Sequence, residues 1–280
     1  MHVGVDIFLT DYSIAPTELG PALEERGFES VWLPEHSHIP LSRRSPWPGG
    51  ADLPKRYYDV MDPMVALGAM AACTSTLRLA TGICLIVQRD ILQLAKEAAT
   101  IDLISGGRLI LGIGAGWNAE EMADHGTEFT SRFKLMREKV EVLKAVWTQA
   151  KPEYQGDMLA FEPMMTWPKP VQKPHPPILV GGGFPHGARR AARYGSGWMP
   201  LGGRGWDVAE TLPKFAEMVR EAGREPEDMD VTVFAIAPTA DEISKYRDAG
   251  INRVTLSLSS DASRDEALST LDEYARLAGL

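Results

Sequence analysis

Hydrophobic positions in this chain fall into short, nearly continuous runs that alternate with segments of helical periodicity. Runs such as 77–87 and 231–236 are almost entirely apolar, as expected for parallel strands that are covered on both faces. The segment 131–149 instead places apolar residues three or four positions apart, which is typical of an amphipathic helix. The alternation predicts a series of strand–helix units.

Eight strands are predicted, each followed by a helix. The strands cover 2–9, 28–34, 77–87, 108–117, 178–182, 197–201, 231–236 and 253–259. The helices cover 15–27, 62–75, 90–105, 131–149, 186–195, 208–223, 240–250 and 263–279. Eight such units predict an α/β fold, a closed (β/α)8 TIM barrel, with an open doubly wound sheet as the alternative.

Two stretches interrupt this rhythm and are interpreted as insertions into a single domain of residues 1–280. The first, about 37–61, is a loop rich in proline, glycine and arginine, and it is far longer than a usual strand–helix connection. The second, about 152–176, predicts a small hairpin around Gly156–Asp157 followed by a proline-rich extended connector.

Composition narrows the classes of function. The 280 residues carry a net charge of -9, which argues against nucleic acid as a partner. The amino terminus lacks the features of a signal peptide, and no apolar run is long enough for a membrane span, so a cytoplasmic protein is expected. Cys73 and Cys84 are expected to be free, buried thiols, and no metal site is predicted because cysteine and histidine do not cluster.

Candidate chemistry lies just after the predicted strands, where barrel enzymes carry their active sites. Strand two ends in "LPEHSH", which places Glu35 and His36 at the barrel mouth beside the long loop. Histidine exchanges protons near neutral pH, so this pair is the catalytic candidate. The alternative is that His36 is an ordinary hydrogen-bonded residue of a surface loop.

Glycines mark two further positions. Gly112, Gly114 and Gly116 alternate in strand four and leave room for a flat group, but their spacing does not match the dinucleotide motif G-x-G-x-x-G. The run 181–183, followed by a helix start, predicts an anion site for a phosphate, with a tight turn as the alternative.

Together these segments resemble the luciferase-like oxidoreductase superfamily, whose members are (β/α)8 barrels that use FMN or the deazaflavin coenzyme F420. The resemblance covers almost the whole chain. It rests on five blocks in order, "GFESVWLPEH", "DPMVALGAMAACTSTLRLATGI", "LAKEAATIDLISGGRLILGIGAGW", "RFKLMREKVEVLKAVW" and "KPHPPILVGGG…RRAARYGSGW".

This resemblance implies where a coenzyme would bind. Its ring would lie at the barrel mouth against a bulge in strand three, often built on a non-prolyl cis peptide, which matches Gly82–Ile83. Its phosphate would meet the glycine loop after strand five, with backbone amides near Gly187 and Ala188. The residues assigned to the coenzyme in this way are Gly82, Ile83, Gly114, Gly116, Gly181, Gly182 and Gly183.

The resemblance also implies roles around the substrate. Glu35 and His36 match an acidic–histidine pair of deazaflavin-dependent members, in which the histidine lies near the reactive face. Trp117 stands where some sugar-phosphate dehydrogenases of the family carry a glutamate, so Trp117 is assigned with Trp47 to the substrate pocket. Acidic alternatives are Glu120 and Glu121 in the following loop.

The expected function is therefore hydride transfer between coenzyme F420 and a small organic substrate. The alternatives are an FMN-dependent monooxygenase that works with a separate flavin reductase, and a non-catalytic barrel that binds a flavin or deazaflavin. The arginines and lysine of the long loop, Arg43, Arg44, Lys55 and Arg56, are candidates for contacts with the acidic F420 tail. Homodimers are common in the family, so a homodimer is expected by analogy.

Overall fold

The computed structural model describes residues 1–50, 52–203 and 206–280. Its strands are β1 (His2–Asp6), β2 (Ser30–Leu33), β3 (Arg78–Thr81), β4 (Cys84–Leu85), β5 (Leu109–Gly114), β6 (Tyr154–Gln155), β7 (Ala160–Phe161), β8 (Ile178–Gly181), β9 (Gly197–Met199), β10 (Asp230–Ile236) and β11 (Arg253–Ser257). Its helices are α1 (Pro16–Glu25), α2 (Arg56–Asp59), α3 (Pro63–Cys73), α4 (Ile91–Ile104), α5 (Ala119–Asp124), α6 (Arg132–Thr148), α7 (His186–Tyr194), α8 (Val208–Glu221), α9 (Ala240–Asp248) and α10 (Arg264–Ala278), with 3₁₀ turns at Phe129–Ser131 and Pro226–Asp228.

Eight parallel strands close into a barrel. The sheet runs β3-β2-β1-β11-β10-β9-β8-β5, and a further pairing between β3 and β5 joins its two ends. Helices flank the strands in the order that the sequence predicts, so the (β/α)8 TIM barrel is confirmed and the open sheet is excluded. The hairpin is confirmed as well, because β6 and β7 pair antiparallel on either side of Gly156–Asp157.

The barrel has two separate apolar layers. The larger one lies between the strands and the surrounding helices. A smaller cluster takes one buried side chain from each of five strands, namely Trp32, Ala80, Ile110, Leu179 and Met199. These residues alternate along their strands with residues of the larger layer, such as Val31 and Leu79, so they fill the barrel interior.

Charged side chains form ion pairs at the end of the barrel opposite the carboxyl termini of the strands. The guanidinium of Arg253, at the start of β11, donates to both oxygens of Glu29 at 2.7 Å and to Asp230 at 2.9 Å. Arg253 is 3% exposed, so these carboxylates neutralise a buried charge. The triad links the residue before β2 with the first residues of β10 and β11, far from the barrel mouth.

The structure corrects several predicted boundaries. The strand predicted over 77–87 stops at Thr81 and resumes as the short β4. The peptide between Gly82 and Ile83 is cis, which confirms the expectation that the family resemblance gave for this position. The long first insertion contains one helical turn, α2, and the loop after β5 contains α5, neither of which was predicted. No helix within the described residues is long and apolar enough to cross a bilayer.

The expectation for the cysteines is half wrong. Cys84 is buried on β4, but Cys73 is exposed at the end of α3. The helix α3 is apolar on all its faces, so its sequence does not distinguish the buried face from the exposed one.

Candidate functional site

A cavity of about 560 Å³ opens at the carboxyl ends of the barrel strands. All seven residues that the sequence assigns to the coenzyme line it. The described lining residues are Gly82, Ile83, Gly114, Ala115, Gly116, Trp117, Phe133, Gly181, Gly182, Gly183, Arg190, Met199, Pro200, Leu201, Trp206 and Phe234. Glycine backbone forms one wall and apolar side chains form the other, a shape suited to a flat ring.

The glycine wall is built by close packing between neighbouring strands. A Cβ atom on Gly114 would collide with Cδ1 of Ile83, and one on Gly82 would collide with the ring of Phe234. The space released at Gly114 is therefore occupied by Ile83 from the break between β3 and β4. The side chain of Ile83 therefore forms part of this wall together with the glycine backbone.

The glycine loop after β8 is fixed by a buried tryptophan. The indole Nε1 of Trp198 donates to the carbonyl oxygen of Gly182 at 2.7 Å. Gly182 has a φ of 129°, a conformation that side chains other than glycine rarely adopt. The amide of Gly187 donates to Gly183 at 2.7 Å, so that amide is engaged by the loop itself.

Arg190 supplies positive charge beside this loop. Its guanidinium stacks on the ring of Phe133, with 3.9 Å between the guanidinium carbon and the ring centroid. Its Nε is buried and has no hydrogen-bond partner in the described part of the chain. Burial lowers the pKa of Arg190 from its ordinary value, which is the effect expected where a cation lacks a counter-ion. A phosphate bound at Gly182 and Gly183 would provide one.

His36 is held by a carboxylate from another loop. It is 9% exposed, and its Nδ1 lies 2.8 Å from Oε2 of Glu121, which is completely buried. The other oxygen of Glu121 accepts from the amide of Ser37 at 3.2 Å. Because an ionised carboxylate can only accept, it places the hydrogen of a neutral His36 on Nδ1 and leaves Nε2 as an acceptor.

Glu121 reaches His36 because of how α5 begins. The side chain of Asn118 caps this helix by accepting from the amide of Glu121. The same helix anchors the long loop, since Glu120 accepts from the amide of Ser45 at 2.9 Å.

Glu35 has a different neighbourhood from His36. Its carboxylate accepts from Arg89 at 2.6 Å and from the amide of Leu85 at 2.7 Å. Burial raises the pKa of Glu35, while Arg89 acts in the opposite direction. Since Leu85 belongs to β4, Glu35 fixes the strand that follows Ile83, and it lies outside the described lining of the cavity.

The two tryptophans assigned to the substrate pocket occupy different places. Trp117 lines the cavity, and its ring centroid lies 5.8 Å from that of His36. Trp47 lines a separate cleft in the long loop and contacts Tyr57 at 5.5 Å. Tyr57 in turn lies 5.4 Å from His36, so both tryptophans belong to one aromatic cluster around this histidine.

Comparison with known proteins assigns the family. The family model described as luciferase-like monooxygenase matches residues 16–278. The chain belongs to the luciferase-like family. This confirms the resemblance found in the sequence, and with it the expectation of an oxidoreductase of this family.

Relatives of this luciferase-like chain include an uncharacterized protein and a dehydrogenase that is named for its coenzyme. It is 37% identical over 279 residues to an uncharacterized protein of Mycobacterium tuberculosis, with 98% of both chains covered. It is 27% identical to an F420-dependent glucose-6-phosphate dehydrogenase of Amycolatopsis mediterranei, over 91% of this chain and 73% of that protein.

Solved structures share the fold. A monooxygenase of Streptomyces bottropensis superposes with a TM-score of 0.77 at 23% identity, covering 99% of this chain and 98% of the other. An F420-dependent secondary alcohol dehydrogenase, solved with an F420–acetone adduct, superposes with a TM-score of 0.76 at 22% identity, covering 99% and 97%.

Sequence reasoning missed two residues of this luciferase-like site. Arg190 belongs to the basic stretch "ARRAAR" of α7, and only the fold shows that it lines the cavity. Glu121 was considered only as an alternative acid and not as the partner of His36. An asparagine cap followed by glutamates was the available signal for α5, since this pattern is typical of a helix start.

Proposed function

We propose that the protein is an F420-dependent oxidoreductase that interconverts an alcohol and a carbonyl compound. The observation that carries this proposal is the buried pair of His36 and Glu121 beside the glycine-walled cavity. Dehydrogenation of an alcohol removes a hydride from carbon and a proton from oxygen, so it needs a proton acceptor as well as a hydride acceptor. The F420-dependent relatives named above support the choice of coenzyme.

The residues of the chain fit such a coenzyme. The ring would lie against Ile83, Gly114 and Gly116, and a phosphate would meet Gly182, Gly183 and Arg190. The unpartnered Nε of Arg190 and the open space at Gly183 support this placement. When bound, a deazaflavin accepts or donates a hydride at its ring and reacts poorly with oxygen.

His36 and Glu121 provide the proton transfer that alcohol oxidation requires. Nε2 of His36 takes the hydroxyl proton of an alcohol as its carbon loses the hydride, and returns it to the carbonyl oxygen in the reverse direction. Glu121 keeps Nδ1 protonated and stabilises the positive charge that His36 then carries. The ring of Trp117 shields this side of the cavity from water.

The same cavity would also fit FMN, so titration of the purified protein with each coenzyme is the deciding experiment. Quenching of intrinsic tryptophan fluorescence reports binding, because Trp117 lines the cavity. Tight binding of F420 with weak binding of FMN supports the proposal. The opposite preference favours the monooxygenase that uses a flavin reductase, and binding of neither contradicts both.

Replacement of His36 tests its role directly. With a substrate found by screening alcohols against F420, we expect His36→Gln to lower kcat by roughly 100-fold or more. Its affinity for F420 should change less than about threefold, since His36 lies outside the described cavity lining. The matched control is His38→Ala on the same loop, whose partner is the exposed Asp124. Full turnover by His36→Gln would remove His36 from the mechanism.

A further inference from the structure

Four aromatic side chains, two of them in contact with His36, form a cluster at the barrel mouth that does not belong to the apolar layers of the fold. Tyr57 lies 5.4 Å from His36 between ring centroids, and Trp117 lies 5.8 Å away. Tyr57 also contacts Phe8 at 4.7 Å and Trp47 at 5.5 Å. We call Phe8, Trp47, Tyr57 and Trp117 the aromatic box. All four are half-buried, so they offer flat apolar surface beside the proposed proton acceptor.

Two arginines make cation–π contacts with rings of the aromatic box. The guanidinium of Arg56 lies 5.4 Å from the ring centroid of Phe8, and that of Arg43 lies 5.9 Å from that of Trp117. Neither guanidinium makes a direct ion pair or side-chain hydrogen bond within residues 1–50, 52–203 and 206–280, although the charge of Arg56 is close enough to Asp6 to lower the pKa of that carboxyl group. Their neighbours in the sequence differ, since Arg44 pairs with Glu120 and Lys55 pairs with Asp59.

A cleft of about 730 Å³ adjoins the aromatic box within the long loop. Its described lining includes Arg43, Trp47 and Tyr58, and its charged members are Arg43, Arg44 and Asp52. Arg43 lines this cleft and lies over Trp117, which lines the coenzyme cavity, so the cleft and the cavity are neighbours across these two side chains.

The barrel order separates part of this region, the segments after β1 and β2, from the proposed phosphate site, whereas Trp117 after β5 lines the same cavity as the glycine loop. The aromatic box draws on the segments after β1, β2 and β5, whereas the glycine loop follows β8. Around the closed barrel, β1 and β8 lie four strands apart in either direction. The segment after β1 carries Phe8, whose ring is contacted by Arg56. This segment therefore lies diametrically opposite the glycine loop that contains Gly182.

We propose that the substrate is an aromatic or similarly flat apolar molecule that carries a carboxylate. This inference rests on the proposed function of the same site. The flat part lies in the aromatic box beside His36, and the carboxylate binds Arg43 and Arg56. Guanidinium groups bind carboxylates through paired hydrogen bonds, and neither of these two has such a partner within the described chain.

The test compares 2-naphthoate with its neutral analogue 2-naphthamide by isothermal titration calorimetry, on the protein with and without saturating F420. We expect the wild-type protein to bind the carboxylate about tenfold more tightly than the amide. The double variant Arg43→Gln, Arg56→Gln should lose this preference and still bind the amide as the wild type does. Lys55→Gln is the control and should keep the preference, because Lys55 pairs with Asp59 and lies outside the described lining of the cleft.

Three results would overturn the proposal. They are equal affinity of the wild-type protein for the two ligands, no binding of either, and a double variant that keeps the preference. If the double variant instead weakens F420 binding, the two arginines contact the coenzyme tail and the proposal is also wrong. A protein that prefers naphthoate but binds no F420 would support the carboxylate site and contradict the deazaflavin function separately.

Discussion

Glu121 decides which nitrogen of His36 carries a hydrogen atom when the ring is neutral. Its two oxygens are both engaged, one by the amide of Ser37 and the other by Nδ1. Glu121 is therefore a positioning residue, since it acts on the substrate through His36. The assignment matters because the opposite tautomer would present a donor, and not an acceptor, at Nε2.

The variant Glu121→Gln separates these two tautomers. Its amide oxygen would accept from Ser37 and its amide nitrogen would donate to Nδ1, which moves the hydrogen of His36 to Nε2. We expect kcat for alcohol oxidation to fall by roughly 100-fold, with KM and F420 affinity nearly unchanged. Glu128→Gln, on an exposed residue, is the control, and equal loss in both variants would refute the assignment.

Asp6, at the end of β1, makes stability depend on pH. It is 7% exposed, and burial raises its pKa to about 6 although Thr255 and Ser257 donate to it. The folded state therefore binds more protons than the unfolded state between about pH 4 and pH 6, so stability falls as pH rises through this window. Above about pH 6, Asp6 is charged in the folded state, and this buried charge lowers the free energy of unfolding.

We accordingly expect Asp6→Asn to stabilise the protein at pH 8 by on the order of 1–3 kcal/mol. The gain should vanish below about pH 3, where the carboxyl group is mostly protonated in both states. Urea denaturation at several pH values measures this difference. A gain that is the same at every pH would point to a cause other than the charge of Asp6.

At the scale of elements, short segments at strand ends place most of the site. The helix α5 holds His36 through Glu121 and the long loop through Glu120. The glycine loop after β8 depends in a similar way on one bond from Trp198. Elements of this size are fixed by a few contacts with other loops, so single substitutions can move them without unfolding the barrel.

Trp198→Phe tests this for the glycine loop. The change keeps an aromatic ring in the core but removes the donor to Gly182, so F420 affinity should fall by about three- to tenfold. The matched control is Trp147→Phe, because the indole of Trp147 is also buried and donates to the carbonyl of Ala95 at 3.0 Å. Fluorescence titration should show weaker binding for the first variant only. Equal affinities in both would contradict the proposed role of Trp198.

These small elements are also where sequence reasoning reaches its limit. The strands, the long helices and the hairpin follow from hydrophobic periodicity, and the glycines that line the cavity stand out by their spacing. The break after Thr81 does not follow from periodicity, because apolar residues continue through 82–87, and only the family resemblance pointed to Gly82–Ile83. Likewise, the pairing of His36 with Glu121 joins residues 85 positions apart, which no local pattern encodes.

At the scale of the whole molecule, the two ends of the barrel have separate roles. The mouth carries the cavity, His36 and the aromatic box, whereas the opposite end carries the ion pairs of Arg253. The carboxylates around Arg253 hold its pKa above its ordinary value, with burial acting in the opposite direction. This division is common in TIM barrels, in which loops at the mouth determine function and the other end determines stability.

Arg253→Met should therefore affect stability alone. It leaves the carboxylates of Glu29 and Asp230 without their cation, so we expect a loss of about 3–5 kcal/mol in the free energy of unfolding. F420 affinity of the remaining folded protein should not change. Arg26→Met, which breaks an ion pair with the exposed Asp272, should cost less than about 1 kcal/mol. Weaker coenzyme binding in Arg253→Met would contradict the separation of the two ends.

The contact between Ile83 and Gly114 has a consequence for reshaping the cavity by mutation. Replacing Gly114 alone drives a methyl group into Cδ1 of Ile83, but Ile83→Val first removes that atom, and the next nearest, Cγ1, lies 3.3 Å from the new Cβ. Substitutions at the two positions should therefore be strongly non-additive. A library that varies position 114 by itself would displace Cδ1 of Ile83 and change the shape of the wall, whereas paired variation with position 83 would exchange volume between two strands and keep the wall closed.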